Sequence, residues 1–155
     1  MFCIGREKDM LREITPEETG ILYECMEDLG RHHNDVSVYF KGIYPTISSE
    51  EIVRQFAAEM EAGNSYIAVI EEGERVIGLC KIIITKETGV LEYLVVLNEE
   101  KGKGHGSELM DWAFRKFNEN KVKNIEVKVV YGNDAAEFYK RFGFREKSII
   151  LCLKR

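Results

Sequence analysis

The sequence predicts an α+β fold, a mostly antiparallel mixed sheet with flanking helices, and the order of its hydrophobic patterns carries that expectation. Two helix-periodic segments with start signals come first. Three runs of strand character follow, separated only by short turns. The chain then alternates helix, strand, helix and strand, an order that adds a parallel neighbour to an otherwise antiparallel sheet.

A short N-terminal strand is expected around Met10 to Ile14. Thr15-Pro16-Glu17-Glu18 then opens a helix: Thr15 caps, Pro16 suits the first turn, and Glu18 reaches back to complete a capping box. Ile21, Leu22, Cys25, Met26 and Leu29 recur at helical spacing, and Gly30 is expected to end the run. Residues 31–47 read as an irregular stretch with His32, His33, Tyr39, Phe40 and Tyr44, long for a mere connection and therefore a functional candidate. Ser48-Ser49-Glu50-Glu51 caps a second helix carrying Ile52, Phe56, Ala57 and Met60, which closes at Gly63.

Strands are expected at Tyr66 to Ile70 and Val76 to Ile84, joined as a hairpin, and at Val90 to Val96 after Lys86-Glu87-Thr88-Gly89. A glycine-rich run leads into a helix with Leu109, Met110, Ala113, Phe114 and Phe117 on its apolar face. Ile125 to Val130 reads as a strand, Asp134 to about Phe142 as a short helix ended by Gly143, and Ser148 to Leu153 as a last strand.

Composition sets the class of molecule. The 155 residues are 45% hydrophobic and 32% charged, with no low-complexity tract, which suits a single domain spanning 1–155 with its own core. A net charge of -5 makes nucleic acid or an anionic membrane an unfavoured partner and a cationic one better suited. Met1 to Met10 turns charged too early for a signal peptide and no apolar run reaches bilayer length, so a cytoplasmic location is expected. Cys3, Cys25, Cys80 and Cys152 lie far apart with no His at ligand spacing; they read as buried thiols, with no metal site and no disulfide framework.

The glycine-rich run Lys101-Gly102-Lys103-Gly104-His105-Gly106 follows a strand and turns straight into a helix. Such a turn presents unpaired backbone N–H groups at the positive end of a helix dipole, a cradle for an anion. Glycines allow close backbone approach, and Lys101 and Lys103 can add mobile positive charge. A phosphate-binding loop of the Gly-x-x-x-x-Gly-Lys-Ser/Thr kind does not fit, because no lysine precedes Ser or Thr at that offset. A dinucleotide fingerprint fits poorly as well, since Ser107 stands at its third glycine.

With the apolar strand Leu91-Glu92-Tyr93-Leu94-Val95-Val96 before it and Ser107-Glu108-Leu109-Met110 after it, this loop resembles the coenzyme-binding motif Gln/Arg-x-x-Gly-x-Gly/Ala of the GNAT superfamily of N-acetyltransferases. Lys101 takes the Gln/Arg position, keeping the charge without an arginine's fork, and Gly104 and Gly106 take the small positions. Asn133-Asp134-Ala135-Ala136-Glu137-Phe138-Tyr139-Lys140-Arg141-Phe142-Gly143-Phe144 resembles the same family's Asn-x-x-Ala-x-x-Phe-Tyr-x-x-x-Gly-Phe segment.

The resemblance implies a GNAT-like sheet splayed between its fourth and fifth strands, with acetyl-CoA as cosubstrate and a primary amine, expected to be a small molecule, as acceptor in a ternary complex. It implies that Leu94, Val95 and Val96 line the pantetheine arm, that Lys101, Gly102, Lys103, Gly104, His105, Gly106 and Ser107 hold the pyrophosphate, and that Asn133 bonds the pantetheine, where it can also cap the helix. By the same resemblance Tyr139 sits near the coenzyme sulfur and protonates the leaving thiolate. Glu92 interrupts an apolar strand on which several family members carry a carboxylate base; inside the cleft, burial would raise its pKa into a useful range.

His32 and His33 would flank the acceptor pocket, with Tyr39, Phe40 and Tyr44 as an aromatic wall or a loop anchor. Acceptor choice would rest with the first two helices, the loop between them and the final hairpin. The alternatives are an acyl-CoA-binding sensor without turnover and a protein or peptide N-acetyltransferase. Oligomeric state leaves no signature, a homodimer being one option.

Overall fold

A computed structural model describes residues 9–155. The expected thiol at Cys3 and the charged start of the chain before Asp9 lie outside the described residues. The sheet has the order β1 (Met10–Glu13), β2 (Ser65–Glu72), β3 (Arg75–Thr85), β4 (Thr88–Val96) and β5 (Asn124–Val127). The first three pairings are antiparallel and β4 runs parallel to β5, so the mixed α+β architecture is the observed one. The helices are α1 (Tyr23–Val36), α2 (Ser49–Glu61), α3 (His105–Glu119) and α4 (Ala135–Arg141), with a 3₁₀ segment at Pro16–Leu22 leading into α1.

Local signals act largely as the sequence expects. The Thr15 N–H donates to Glu18 Oε1 at 3.0 Å, and Ser48 Oγ accepts from the Glu51 N–H at 3.2 Å. One end signal is misread. Gly30 does not stop its helix, which continues to Val36; it is buried where Pro45 crosses α1, and a Cβ there would lie 2.9 Å from Pro45 Cδ. Close approach, not termination, requires this glycine. His32 and His33 therefore stand on α1 instead of in a loop, and the irregular stretch begins only at Ser37.

The hairpin into β4 closes on Lys86-Glu87, so the strand begins at Thr88, and β5 ends at Val127, short of the expected Val130. Ser148 to Leu153 forms no strand. Ile149, Ile150, Leu151 and Leu153 are exposed, and the ion pair of Lys147 with Glu126 of β5, 2.6 Å, is the segment's tie to the sheet. Strand propensity measures how well side chains suit a pleated surface, but a strand also needs ladder bonds, and none reaches these residues although β5, the last strand of the sheet, is unpaired on its outer side. Cys152 is exposed with them, contrary to the buried-thiol expectation, whereas Cys25 and Cys80 are buried. Desolvation pushes the Cys25 thiol up to about 12 and Cys80 higher still.

The core lies on both faces of β2, β3 and β4. Lys81 pairs with Tyr93, and both face Phe56 of α2. Residues of the other parity face α3: a Cβ on Gly78 would meet Leu109, and one on Gly89 would meet Phe117. Leu79, Ile82, Leu91, Leu109 and Met110 are essentially inaccessible, each stabilising the fold by about 1.5–3 kcal/mol on burial. Among the described residues no helix is long and apolar enough to cross a membrane.

A charge cluster ties β1 to its neighbours. Arg12 Nη2 lies 2.8 Å from Glu71 Oε1 and 2.8 Å from Glu18 Oε2. The hydrogen bond from Arg12, helped by the Thr15 N–H, holds the Glu18 carboxyl well below its ordinary range, at about 2. A carboxyl lowered in the folded state contributes stability above its unfolded pKa and loses it as pH falls through the folded value. The melting temperature should therefore fall more steeply in the wild type than in Arg12→Ala between roughly pH 4.5 and 2, the two curves converging at the acid end. Parallel curves in a pH-resolved thermal melt would remove the cluster from the acid response.

Candidate active site

The sheet opens between β4 and β5. Their pairing covers only Thr88–Leu91 against Asn124–Val127, so the edge of β4 from Glu92 to Val96 has no ladder partner on that side. Its N–H and C=O groups there must find partners outside the sheet. Leu94, Val95 and Val96 lie on this free edge, paired on their other side with Cys80, Leu79 and Gly78.

β4 leads through a 3₁₀ turn, Asn98–Glu100, to Lys101 and the glycine run. Gly102 and Gly104 have φ of +79° and +87°, the left-handed region, and Gly104 is the N-cap of α3. Glu108 N–H already bonds Gly104 O at 3.1 Å, so the N–H groups of His105, Gly106 and Ser107 are the helix's orphan donors. A Cβ on Gly106 would lie 3.3 Å from Phe138 Cζ, so the loop is held close to α4. Lys101 is exposed beside the cradle, and Lys103 Nζ bonds Glu100 Oε2 at 2.7 Å. The His105 ring is buried 3.6 Å from Asp9 Oδ2 and 3.8 Å from Glu108 Oε1, leaving its backbone as the part that belongs to the cradle.

An anion at the N-terminus of α3 and a chain of amides along the β4 edge are the two groups this surface suits. A coenzyme A offers both, in its pyrophosphate and its pantetheine. The residues present fit it.

Tyr139 lies on α4 and is 7% exposed, its ring packed edge-on against Phe138 and Phe144 at 5.4 and 5.8 Å between centroids. Burial, with the field of Cys80 added, raises its hydroxyl well above the ordinary tyrosine range. It keeps its proton at neutral pH. Asn133, one residue before the Asp134 N-cap of α4, accepts the Ala135 N–H at Oδ1 over 3.0 Å, and the same oxygen lies 3.4 Å from His32 Nε2. That contact brings α1 to the turn before α4, where Tyr39 also stacks on Tyr131 at 6.1 Å.

His33 packs its ring against Tyr44 at 5.2 Å, and burial lowers its pKa, with His32 contributing. The loop after α1 is tied down by Asn34, whose Oδ1 accepts from Gly42 and Tyr44 N–H groups at 3.0 and 2.9 Å while Nδ2 donates to Tyr44 O.

Glu92 has the most altered setting. The ladder pairs Lys81 with Tyr93 and Ile82 with Leu91, so Glu92 is the extra residue of a β-bulge and its side chain joins Tyr93 on the α2 face. There its carboxylate contacts Lys81 Nζ directly. Lys81 also lies 2.6 Å from Glu59 Oε2 on α2 and 4.9 Å from the Phe56 ring centroid. The expectation of a carboxylate shaped by burial alone therefore misses its partner. Sequence reasoning passed over Lys81, Glu59 and Tyr93. The signal available was one lysine inside the apolar run Val76 to Ile84, facing one glutamate inside the next.

The sequence matches the acetyltransferase (GNAT) domain family over residues 63–146, more than half of the chain. A search of curated protein sequences found no match. Among solved structures, the fold is similar to PaiA N-acetyltransferase from Thermoplasma acidophilum in complex with coenzyme A, at 15% identity and TM-score 0.77, covering 92% of this chain and 93% of that one. It is similar to glucosamine-6-phosphate N-acetyltransferase from Arabidopsis thaliana, at 18% identity and TM-score 0.69, covering 96% and 99%. An aminoglycoside N-acetyltransferase in complex with coenzyme A matches at 11% identity and TM-score 0.74, covering 99% of each chain.

Proposed function

Because the chain belongs to the GNAT acetyltransferase family, we propose that it transfers the acetyl group of acetyl-CoA to a primary amine of a small molecule, by direct attack in a ternary complex. The observation that carries this reading is the free edge of β4 from Glu92 to Val96, which begins where β5 departs and leads to the orphan N–H groups of α3. Bound acetyl-CoA supplies the activated acetyl thioester. Every other requirement falls on the chain.

The backbone N–H groups of His105, Gly106 and Ser107, with Lys101 nearby, hold the pyrophosphate; the main chain of Leu94, Val95 and Val96 aligns the arm. Free N–H groups on that edge also offer hydrogen bonds where negative charge develops at the carbonyl oxygen. Tyr139, held protonated by its burial, keeps a proton at Oη for the departing thiolate. Glu92 occupies the opposite face of the sheet, where α1 and α2 would admit the acceptor, and takes up the amine's proton directly or through water.

Two of the similar structures are named for small-molecule amines, a sugar phosphate and aminoglycosides, which supports a small acceptor here. The test is thiol release from acetyl-CoA against polyamines, aminoglycosides, amino sugars, amino acids and peptides. Release above the hydrolysis background with a small amine is the expected result. Release with peptides alone would move the reading to a protein acetyltransferase, and binding of acetyl-CoA without release for any class would make the chain a sensor.

A further inference from the structure

We propose that Lys81 is a positioning residue for acetyl transfer, fixing the Glu92 carboxylate at the bulge of β4 so that it meets the acceptor amine. The proposal rests on the acetyl-transfer reading and assigns it a residue that no motif contains.

Lys81 is completely buried, 0% exposed, in the middle of β3, with Leu79, Cys80 and Ile82 equally inaccessible around it. An ammonium removed from water in such surroundings is costly, and a well-packed apolar side chain of similar volume is commonly as stable or more so. Stability alone gives little reason for this lysine. Its ammonium is met by two carboxylates, Glu92 of β4 and Glu59 of α2, whose side chains remain 31% and 41% exposed. The cluster is thus asymmetric: a fixed cation inside and two anions reaching it from the solvent side. The Phe56 ring below and Tyr93 across the ladder close the other sides. Tyr93 is held protonated by burial and by the fields of Glu92 and Glu59, so its hydroxyl adds no third anion.

Glu92 is the one carboxylate of the two that stands at the splay. A bulged residue lacks the ladder constraints that orient its neighbours, and a glutamate there has three side-chain torsions to settle. The contact with Lys81 through Oε2 settles them and leaves Oε1 for the acceptor. The cluster comprises Lys81 on β3, Glu92 and Tyr93 on β4, and Glu59 on α2. With Tyr93 neutral, they sum to one surplus negative charge, which attracts an ammonium-bearing acceptor.

The experiment measures kcat and KM for an amine that the wild type acetylates, acetyl-CoA affinity by titration calorimetry, and melting temperature, in Lys81→Met, Glu92→Gln and the double variant. Lys81→Met should lower kcat by about 10–100-fold, because a general base contributes roughly 100-fold or more and here loses its orientation rather than its group. Acetyl-CoA affinity should stay within about twofold, and the double variant should be no slower than Glu92→Gln alone, as expected of residues acting as one unit. Lys81→Arg, which retains the cation, should recover part of the loss. Lys81→Gln keeps a polar chain of similar reach and reads the same quantities if the methionine variant does not fold. Wild-type kcat in either uncharged variant, or additive losses in the double one, would overturn the proposal while acetyl transfer stands. A wild type that binds acetyl-CoA but acetylates none of the amine classes would overturn the transfer reading and this role together.

Discussion

Gly104→Glu should abolish the rise in melting temperature that acetyl-CoA gives the wild type. Ligand at about 100 times its Kd stabilises the folded state by roughly 2.7 kcal/mol. For a chain of this size each kcal/mol moves the midpoint by about 2–4 °C, so the wild-type shift should be roughly 5–10 °C. Gly104 is the N-cap of α3 at φ +87°, with open space where a Cβ would stand. A glutamate there would project into the cradle and set a carboxylate where the pyrophosphate is expected, while straining the backbone by about 1–2 kcal/mol. Strain and blockage separate in Gly104→Asn. Asparagine tolerates the left-handed region and adds no charge, so that variant should retain most of the shift. A folded Gly104→Glu protein with an undiminished shift would remove the loop from the binding site.

That loop was readable from the sequence because its information is local. Alternating glycines after a strand and before an amphipathic helix dictate an N-terminus with orphan donors wherever the chain lies in space. The same holds for the Thr15 and Ser48 starts and for the order of β2 to β4, each set by turn chemistry a few residues long. The failures arise where a distant segment decides. Gly30 looks like a stop signal until Pro45 is seen crossing it, and Ser148 to Leu153 carries a strand pattern although no ladder bond ties it to the outer edge of β5. In the site, the free edge of β4 was expected from resemblance, but the bulge at Glu92 depends on a register shift between Lys81 and Ile82 that no pattern in β4 announces. His32 against Asn133 joins residues 101 positions apart, which periodicity cannot report.

Glu92 and Tyr139 also approach the splay from opposite sides. Lys81, Tyr93 and Phe56 share the α2 face with Glu92, whereas α4 packs with α3 through Phe114, Phe142 and Phe144 on the other. In the proposed roles, a base on one face and an acid on the other would suit a reaction in which an amine enters and a thiolate leaves across the same carbonyl. Their environments are correspondingly unlike: one carboxylate in contact with an ammonium, one phenol in an apolar shell.

Tyr139→Phe should therefore lower kcat by about 100-fold while acetyl-CoA affinity stays within about twofold, because in the proposed reaction the group acts only as the thiolate departs. The ring contacts with Phe138 and Phe144 are kept in the phenylalanine variant, so the melting temperature should change by no more than a few degrees. The pH profile gives a second measure. The hydroxyl is raised above its ordinary value by burial and by Cys80, so its deprotonation cannot produce an alkaline fall in kcat below about pH 10. A fall at lower pH would report another group and should persist in Tyr139→Phe. Steady-state kinetics with saturating acetyl-CoA across pH 6–10 in both proteins distinguishes the cases, and full turnover in Tyr139→Phe would confine this tyrosine to packing.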